Sequence, residues 1–579
     1  MTTAPNSATL PDSQVPTGEA AHNDLVTRLV AEAFSKFSGA PKPPVALSGA
    51  AREIPSVPVL PPADAPSAVP PVHPSAQPAA PKLSDPLSDP ETTPTGAHAP
   101  DSSDSYAFGE PRCNSAYRPS ASGTNGKTVN GNPLPGFSAA GEQVAPEYYF
   151  LPGSGASGKS PAGCQSYPKN AVPVPKFDVA SVRRDFPALH QLVNGKPLIW
   201  LDNAATTHKP QAVIDATKQF YARDNSNIHR AAHTLAARST ELFEAGREKV
   251  RKFLGAADAK EIIFVRGTTE GINLVAQSYG RSNFGPGDEI IISELEHHAN
   301  IVPWQLLSRQ TGAVVRVIPI NDRGEWILEE FVKLLGAKTK FVSVAHVSNS
   351  LGTINPVEQV IALAHARGVP VLVDGAQSTP HLPVNVSALD ADFYVFSGHK
   401  IFGPTGIGAV YGKSALLEAM PPWQVGGHMI KDVRFENTVY QHAPEKFEAG
   451  TPDIAGVVGL GAAIDYLFQV GIPAIAAYEH ALLEYATAAL ATIPGLRPIG
   501  TAAHKASVLA FVIPGIANEA VARHLDKQGI AVRAGHHCAQ PAIRHFGLES
   551  SVRPSLAFYN TREEVDALVF ALRGLKRNG

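Results

Sequence analysis

Lys400 stands in Ser397-Gly398-His399-Lys400, just after the apolar run Phe393-Tyr394-Val395-Phe396 and just before the glycine-containing turn Ile401 to Gly406. A lysine at the carboxyl end of a strand sits where a pocket desolvates its amine and lowers its pKa. Schiff-base chemistry needs that condition; an ordinary surface lysine is the plainer reading. Asp374 follows Pro370-Val371-Leu372-Val373 and leads into Gly375-Ala376-Gln377. A carboxylate at a buried strand end suits a protonated pyridine nitrogen, which pyridoxal phosphate (PLP) requires to act as an electron sink. Gln377 is placed to donate to that cofactor's phenolic oxygen. A strand-end Asp capping the next helix is the alternative.

Four further segments carry chemistry. Arg266-Gly267-Thr268-Thr269-Glu270 follows a strand and opens a helix. Backbone N–H groups and threonine hydroxyls there make an anion cup for a phosphate, or a simple cap. In Leu295-Glu296-His297-His298-Ala299-Asn300, a histidine is available to stack on a ring and move protons. Metal ligation is the weaker reading, because no set of partners lies at metal spacing. Arg533-Ala534-Gly535-His536-His537-Cys538 puts a lone cysteine on a glycine-containing loop beside positive neighbours, the setting of a reactive thiol. His536-His537-Cys538 is too tightly spaced for a closed tetrahedral metal site, and a buried structural cysteine is the bland alternative. Ser551-Val552-Arg553 offers a guanidinium fork for a substrate carboxylate, or else a surface ion pair.

The elements that must position these residues follow a βα rhythm. Strand-like runs at Glu261 to Val265, Glu289 to Ile292, Phe341 to Val344 and Val371 to Val373 alternate with helical patterns such as Pro356 to Arg367. That alternation predicts a mostly parallel sheet, with ligands at the carboxyl ends of its strands. A glycine-rich passage from Glu448 to Asp465 leads into a long helix, and a smaller α+β unit runs to the C-terminus.

Composition changes near residue 176. More than half of the 51 prolines precede it. The Pro/Ala/Ser-rich stretch from Pro55 to Pro100 has no aromatic side chain, too little apolar surface to offset ordering entropy, and is expected to be disordered. Two islands interrupt it: a helical pattern from Asn23 to Phe37, and aromatic clusters at Tyr106 to Phe108 and Tyr148 to Leu151. They suit short docking motifs, or else a transient helix and isolated sticky residues. The net charge of -3, from 49 basic and 52 acidic side chains, points to neither nucleic acid nor an anionic membrane. No apolar run reaches the roughly 18–20 residues of a membrane span, and no secretory signal is read at the start. Three cysteines, Cys113, Cys164 and Cys538, argue against a disulfide framework and for a reducing, cytoplasmic compartment.

Together these motifs, with Leu201 to Thr206, Ile228-His229-Arg230, His346 to Asn349 and Phe447 to Pro452, make the region from Phe177 to Leu575 resemble the aminotransferase class V branch of fold-type I PLP enzymes. More closely it resembles the Suf-type (group II) cysteine desulfurases. The resemblance implies an α/β large domain with a mostly parallel sheet, and a smaller α+β domain. The expected division is a disordered extension over 1–175, a segment packing on the small domain over 176–200, a PLP-binding domain over 201–450, and a small domain carrying the cysteine loop over 451–579.

It also implies roles. Lys400 would carry PLP as a Schiff base, Asp374 would hold the pyridine nitrogen, Gln377 the phenolic oxygen, and His297 would stack on the ring. Thr268, Thr269, Ser397 and His399 would bind phosphate. Thr451 would reach the phosphate of a neighbouring subunit, implying a homodimer. Asn349 and Arg553 would orient L-cysteine, and Cys538 would take its sulfur as a persulfide, leaving L-alanine and passing sulfur to an acceptor protein. Two positions depart from the pattern: Pro554 where a small residue is expected, and Asn203 where serine is common. The long tail resembles that of cargo desulfurases of family 2A encapsulins, implying a shell protein as partner and a cytoplasmic nanocompartment as location. A free cytosolic desulfurase or selenocysteine lyase serving Fe–S cluster assembly, with the tail as linker or other docking segment, is the alternative.

Overall fold

Apolar runs far apart in sequence become neighbours in one seven-stranded sheet. Its strands are β1 (Ile262–Val265), β2 (Glu289–Ser293), β3 (Val314–Ile318), β4 (Thr339–Ala345), β5 (Val371–Asp374), β6 (Phe393–Ser397) and β7 (Gly408–Gly412). The computed structural model describes residues 177–229 and 232–575. The expected disorder of the N-terminal extension, its two islands, Cys113, Cys164 and Arg230 lie outside the described residues.

The order across the sheet is β1-β7-β6-β5-β4-β2-β3. β7 runs antiparallel to both of its neighbours, and every other pairing is parallel. Every residue of β5, β6 and β7 is buried, as continuous apolar strands covered on both faces require. The register sets Ala345 opposite Asp374, Asp374 opposite Val395, Ser397 opposite Gly408, and Gly408 opposite Val265. One sheet edge therefore collects the ends of β1, β4, β5 and β6.

The crossing at that edge depends on glycine. A Cβ on Gly408 would lie 2.4 Å from the Phe396 carbonyl oxygen and 2.7 Å from Gly267 Cα. Gly267 itself has φ 154°, a conformation that side chains rarely allow, and it starts helix α2 (Thr268–Val275).

Helix α1 (Thr234–Leu254) precedes this region, and α3 (Val357–His365) realises the predicted 356–367 pattern, shortened because Pro356 caps it. Helix α4 (Ile454–Val470) packs on α1. The two approach closely because a Cβ on Gly246 would meet Val457 Cγ1 at 2.4 Å, and Gly246 Cα lies 3.5 Å from the Cβ position of Gly461. Among the described residues no single helix is long and apolar enough to cross a membrane.

A second, antiparallel sheet of β8 (Arg497–Ile499), β9 (Ala510–Val512), β10 (Arg533–Gly535) and β11 (Ser551–Arg553) has the order β8-β9-β11-β10. Helices α5 (Ile472–Ala491), α6 (Asn518–Asp526) and α7 (Arg562–Arg573) cover it, burying Leu482, Val521, Leu525 and Leu568 with Phe511 and Val552. The N-terminal segment is tied to the C-terminal one. Phe186 packs against Phe402, Tyr466, Phe558 and Tyr559, and Arg183 pairs with Glu564 at 2.9 Å. Ile199–Trp200 runs parallel to Ile530–Ala531.

Candidate active site

A cavity of about 180 Å³ opens where the first sheet's edge meets the second sheet. Its lining includes Thr268, Thr269, His297, Asn349, Asp374, Gln377, Ser397, His399, Lys400, Cys538 and Arg553, all singled out in the sequence. Thr451 is not among them. It is exposed, on the loop before α4, where its Oγ1 accepts from Asn227 Nδ2 at 3.3 Å.

Lys400 ends the turn after β6 and is partly buried. Burial pushes its amine from 10.5 down to about 8, against the pull of Asp374 and with the push of Arg553. Asp374, at the end of β5, is buried, and its carboxylate accepts one hydrogen bond, from Ala376 N–H to Oδ1 at 2.9 Å. Burial raises its pKa, opposed by that bond and by Lys400. Such a carboxylate favours a cationic or proton-donating partner. Gln377 fixes itself by donating from Nε2 to the Ala204 carbonyl at 2.7 Å, which leaves its second N–H available.

The anion cup is built by two strand ends. Ser397 Oγ lies 2.9 Å from both Thr268 N and Thr268 Oγ1, locking the start of α2 to the end of β6. Exposed Thr269 continues the helix N-terminus, and His399 Nδ1 meets Thr206 Oγ1 at 3.2 Å. His297 accepts a hydrogen bond at Nδ1 from Ala299 N–H at 3.0 Å. Burial, Lys400 and neighbouring cations push its pKa down to about 3, so the ring is neutral and its proton is on Nε2. Beneath it, buried Glu296 accepts from Asn300 Nδ2 at 2.6 Å and from Ala345 N–H at 3.1 Å, tying the His297 loop to the end of β4.

The opposite wall comes from the second sheet. Arg553 is buried; it donates to the Asn349 carbonyl at 2.8 Å and to Asp202 Oδ1 at 3.0 Å, while its Nε has no hydrogen-bond partner. Arg533, paired with Arg553 across β10 and β11, reaches Asp202 Oδ2 at 3.3 Å. Asp202 thus aligns two guanidiniums at the cavity. The sequence motif contained Asp202 but gave it no role, because its partners come from the far end of the chain. Of the departures found in the sequence, Asn203 has a structural use, its Nδ2 donating to the Ser555 carbonyl at 2.7 Å and to Asn560 Oδ1 at 3.0 Å, while nothing in the structure explains Pro554.

Cys538 is partly exposed on a loop that leaves β10 through two left-handed residues, His537 (φ 54°) and Cys538 (φ 55°). Several bonds hold this conformation. Buried His537 meets Ser551 Oγ through Nε2 at 2.9 Å, and its carbonyl accepts from Asn349 Nδ2 at 2.6 Å. The Cys538 carbonyl accepts from His298 N–H at 2.7 Å, and His298 Nε2 accepts from Gln540 N–H at 3.2 Å. Asn349, expected to orient substrate, therefore fastens the cysteine loop, although it also lines the cavity. His298 is a loop-holding residue that sequence reading missed. Its adjacency to His297 gave no sign that it faces a loop 240 residues away.

The family model described as aminotransferase class-V matches residues 199–568. The chain belongs to the aminotransferase class-V family. It is 62% identical over 400 residues to a cysteine desulfurase of Synechococcus elongatus, covering 69% of this chain and 64% of the relative. A cysteine desulfurase of Dickeya dadantii is 51% identical over 406 residues, covering 70% of this chain and 98% of the relative. The chain spans 59% and 66% of the length of two mycobacterial relatives. A crystal structure of a cysteine desulfurase from Escherichia coli in an S-sulfonic acid form superposes with a TM-score of 0.64 at 44% identity, covering 68% of this chain and 97% of that one.

The fold of this class-V member is that of the fold-type I PLP enzymes, shared at a TM-score of 0.60 and 22% identity with a C-DES variant that holds glycine linked to PLP, and its cofactor is pyridoxal 5′-phosphate. The residues present fit that group. A buried carboxylate short of partners, a desolvated lysine, a neutral imidazole and a hydroxyl-lined helix N-terminus line one cavity, matching pyridinium, aldehyde, ring face and phosphate in turn.

Proposed function

We propose that this class-V enzyme is a PLP-dependent cysteine desulfurase of the group II type, converting L-cysteine to L-alanine while Cys538 takes up the sulfur as a persulfide. The observation that carries this reading is that Lys400 and Cys538 line the same cavity. Asp374, Gln377, His297, Thr268, Thr269, Ser397 and His399 hold the cofactor, which supplies an electron sink for the bond changes at Cα and Cβ. Arg553, with an unpartnered buried Nε, grips the substrate carboxylate. The Lys400 amine, lowered toward neutrality, takes the α-proton and returns a proton as alanine forms. The Cys538 thiolate attacks the substrate sulfur. The S–S bond forms as the Cβ–S bond breaks, and its electron pair stays with the three-carbon fragment that becomes alanine. A transaminase needs no thiol at this position.

Two variants test the reading. Cys538→Ser is expected to abolish sulfide release from L-cysteine in the presence of reductant, while Lys400→Ala is expected to lose the visible absorbance of the protein-bound cofactor. Wild-type sulfide release by Cys538→Ser would remove the persulfide role.

The same proposal extends to partners and place. A homodimer, in which Thr451 serves a neighbouring subunit's phosphate, is supported by exposed Thr451 and by the fully exposed Phe435 beside half-exposed Val433 on a projecting hairpin. The partial exposure of Cys538 supports hand-over to an acceptor protein. The Pro/Ala/Ser-rich residues 1–175, with two apolar islands, support packaging within a cytoplasmic encapsulin shell. Co-expression with a shell protein should load the full chain and not one beginning at Val172. Equal loading of both would favour a free desulfurase with a linker tail.

A further inference from the structure

We infer that His298, His536 and Cys538 form an open site for a thiophilic d10 cation, Zn²⁺, at the rim of the active-site cavity. One ring nitrogen of each histidine and Cys538 Sγ lie within 4.8 Å of one another. Tetrahedral zinc with two nitrogens and one sulfur separates its ligands by about 3.5 Å, so the three groups close the gap by side-chain rotation. All three are reachable from solvent: His536 is exposed, and His298 and Cys538 are partly so. Three protein ligands with an outward-facing fourth position make an exchangeable site, open to water or to an added thiol.

The tertiary fold creates this set. The sequence juxtaposes His536, His537 and Cys538, but His537 turns inward to Ser551 and leaves the group. His298 takes its place from the loop after β2, with its ring centroid 5.5 Å from that of His536.

Occupancy has a structural consequence that holds whichever ring nitrogens bind. His536 Nδ1 now accepts from Cys538 N–H at 3.0 Å, and His298 Nε2 accepts from Gln540 N–H at 3.2 Å. If a cation takes those lone pairs, both hydrogen bonds are lost. If it takes the opposite nitrogens, the accepting nitrogens must carry the ring protons, and both bonds are lost again. Zinc therefore loosens the backbone of the cysteine loop while it occupies the thiol. Arg533, at the same rim, opposes the added positive charge, so the site binds more weakly than a closed structural zinc site. The site stands on geometry alone and does not depend on the desulfurase reading.

The test uses the full-length holoenzyme with Cys113 and Cys164 replaced by serine, so that Cys538 is the sole thiol, and contains no L-cysteine. Zn²⁺ is expected to slow alkylation of Cys538 by iodoacetamide about tenfold or more, with EDTA restoring the rate. In the His298→Gln/His536→Asn double variant the same zinc should slow alkylation by less than about twofold. Retained visible absorbance of the cofactor checks that the variant is folded. Equal protection in parent and double variant, or no protection in the parent, overturns the site. If the double variant does not fold, zinc bound per protomer in the parent and in Cys538→Ser decides: loss of one zinc with the thiol supports the site, and unchanged zinc overturns it.

Discussion

The side-chain amide of Asn349 donates to the carbonyl of His537 at 2.6 Å, joining the loop after β4 to the residue before Cys538. The bond crosses from the first sheet's edge to the second sheet's loop, so it couples the cavity wall to the position of Cys538. Replacing Asn349 by Ala removes the donor and leaves a buried carbonyl without this partner. Sulfur transfer to Cys538 should fall about tenfold, in line with a lost hydrogen bond plus part of an unsatisfied-group penalty. Exchange of the substrate α-proton with deuterated solvent should fall much less, since Lys400 is untouched. Equal losses in both measurements would show that Asn349 acts mainly on substrate.

Asp202 bridges Arg553 and Arg533. In Asp202→Asn both guanidiniums lose their charged partner, and Arg553 is no longer aimed at the carboxylate subsite. KM for L-cysteine should rise about tenfold or more, the scale of a charge-assisted hydrogen bond, with a smaller change in kcat. Steady-state kinetics separates these terms, and a fall in kcat at unchanged KM would contradict a positioning role.

Removing the cofactor should expose the cost of burying Lys400. Its folded pKa, about 8, lies below the ordinary 10.5 because burial disfavours the charge. Between those values the unfolded chain binds more protons, so stability contributed by this site rises with pH across that window and is lowest below it. In cofactor-free protein, Lys400→Met should therefore be more stable than wild type at pH 7, with the difference shrinking toward pH 10. Urea unfolding at several pH values measures the trend.

Gly267→Ala forces a side chain onto a φ of 154° and sets its Cβ 3.0 Å from Ser397 Oγ. A destabilisation of about 1–3 kcal/mol is expected, together with weaker retention of PLP, because the same shift moves the Thr268 N–H that Ser397 anchors. Thermal unfolding and the visible absorbance remaining after dialysis report the two effects.

Most of the cavity's lining was legible in the sequence. Asp374 directly follows an apolar run of strand length, Thr268 and Lys400 stand within four residues of one, and a parallel sheet brings such strand ends to one edge. Thr451 was different, since a residue expected to serve a second subunit has no partner within its own cavity. Asn349 was read as a substrate contact, and nothing local in His346 to Asn349 indicates that its amide meets a carbonyl nearly 200 positions away.

The sequence alone determined which strands and turns form and which reactive side chains stand at their ends, because strand periodicity, glycine turns and local motifs are encoded over a few residues. Tertiary structure alone decided the company those side chains keep. It set Arg533 beside Arg553 across antiparallel strands and Asp202 between them. It also turned His537 inward and brought His298 to the thiol in its place. Asp202 and His298 meet partners hundreds of residues away, and even the nearer Arg533–Arg553 and His537–Ser551 pairs are fixed by how strands and sheets pack, so no local pattern records them.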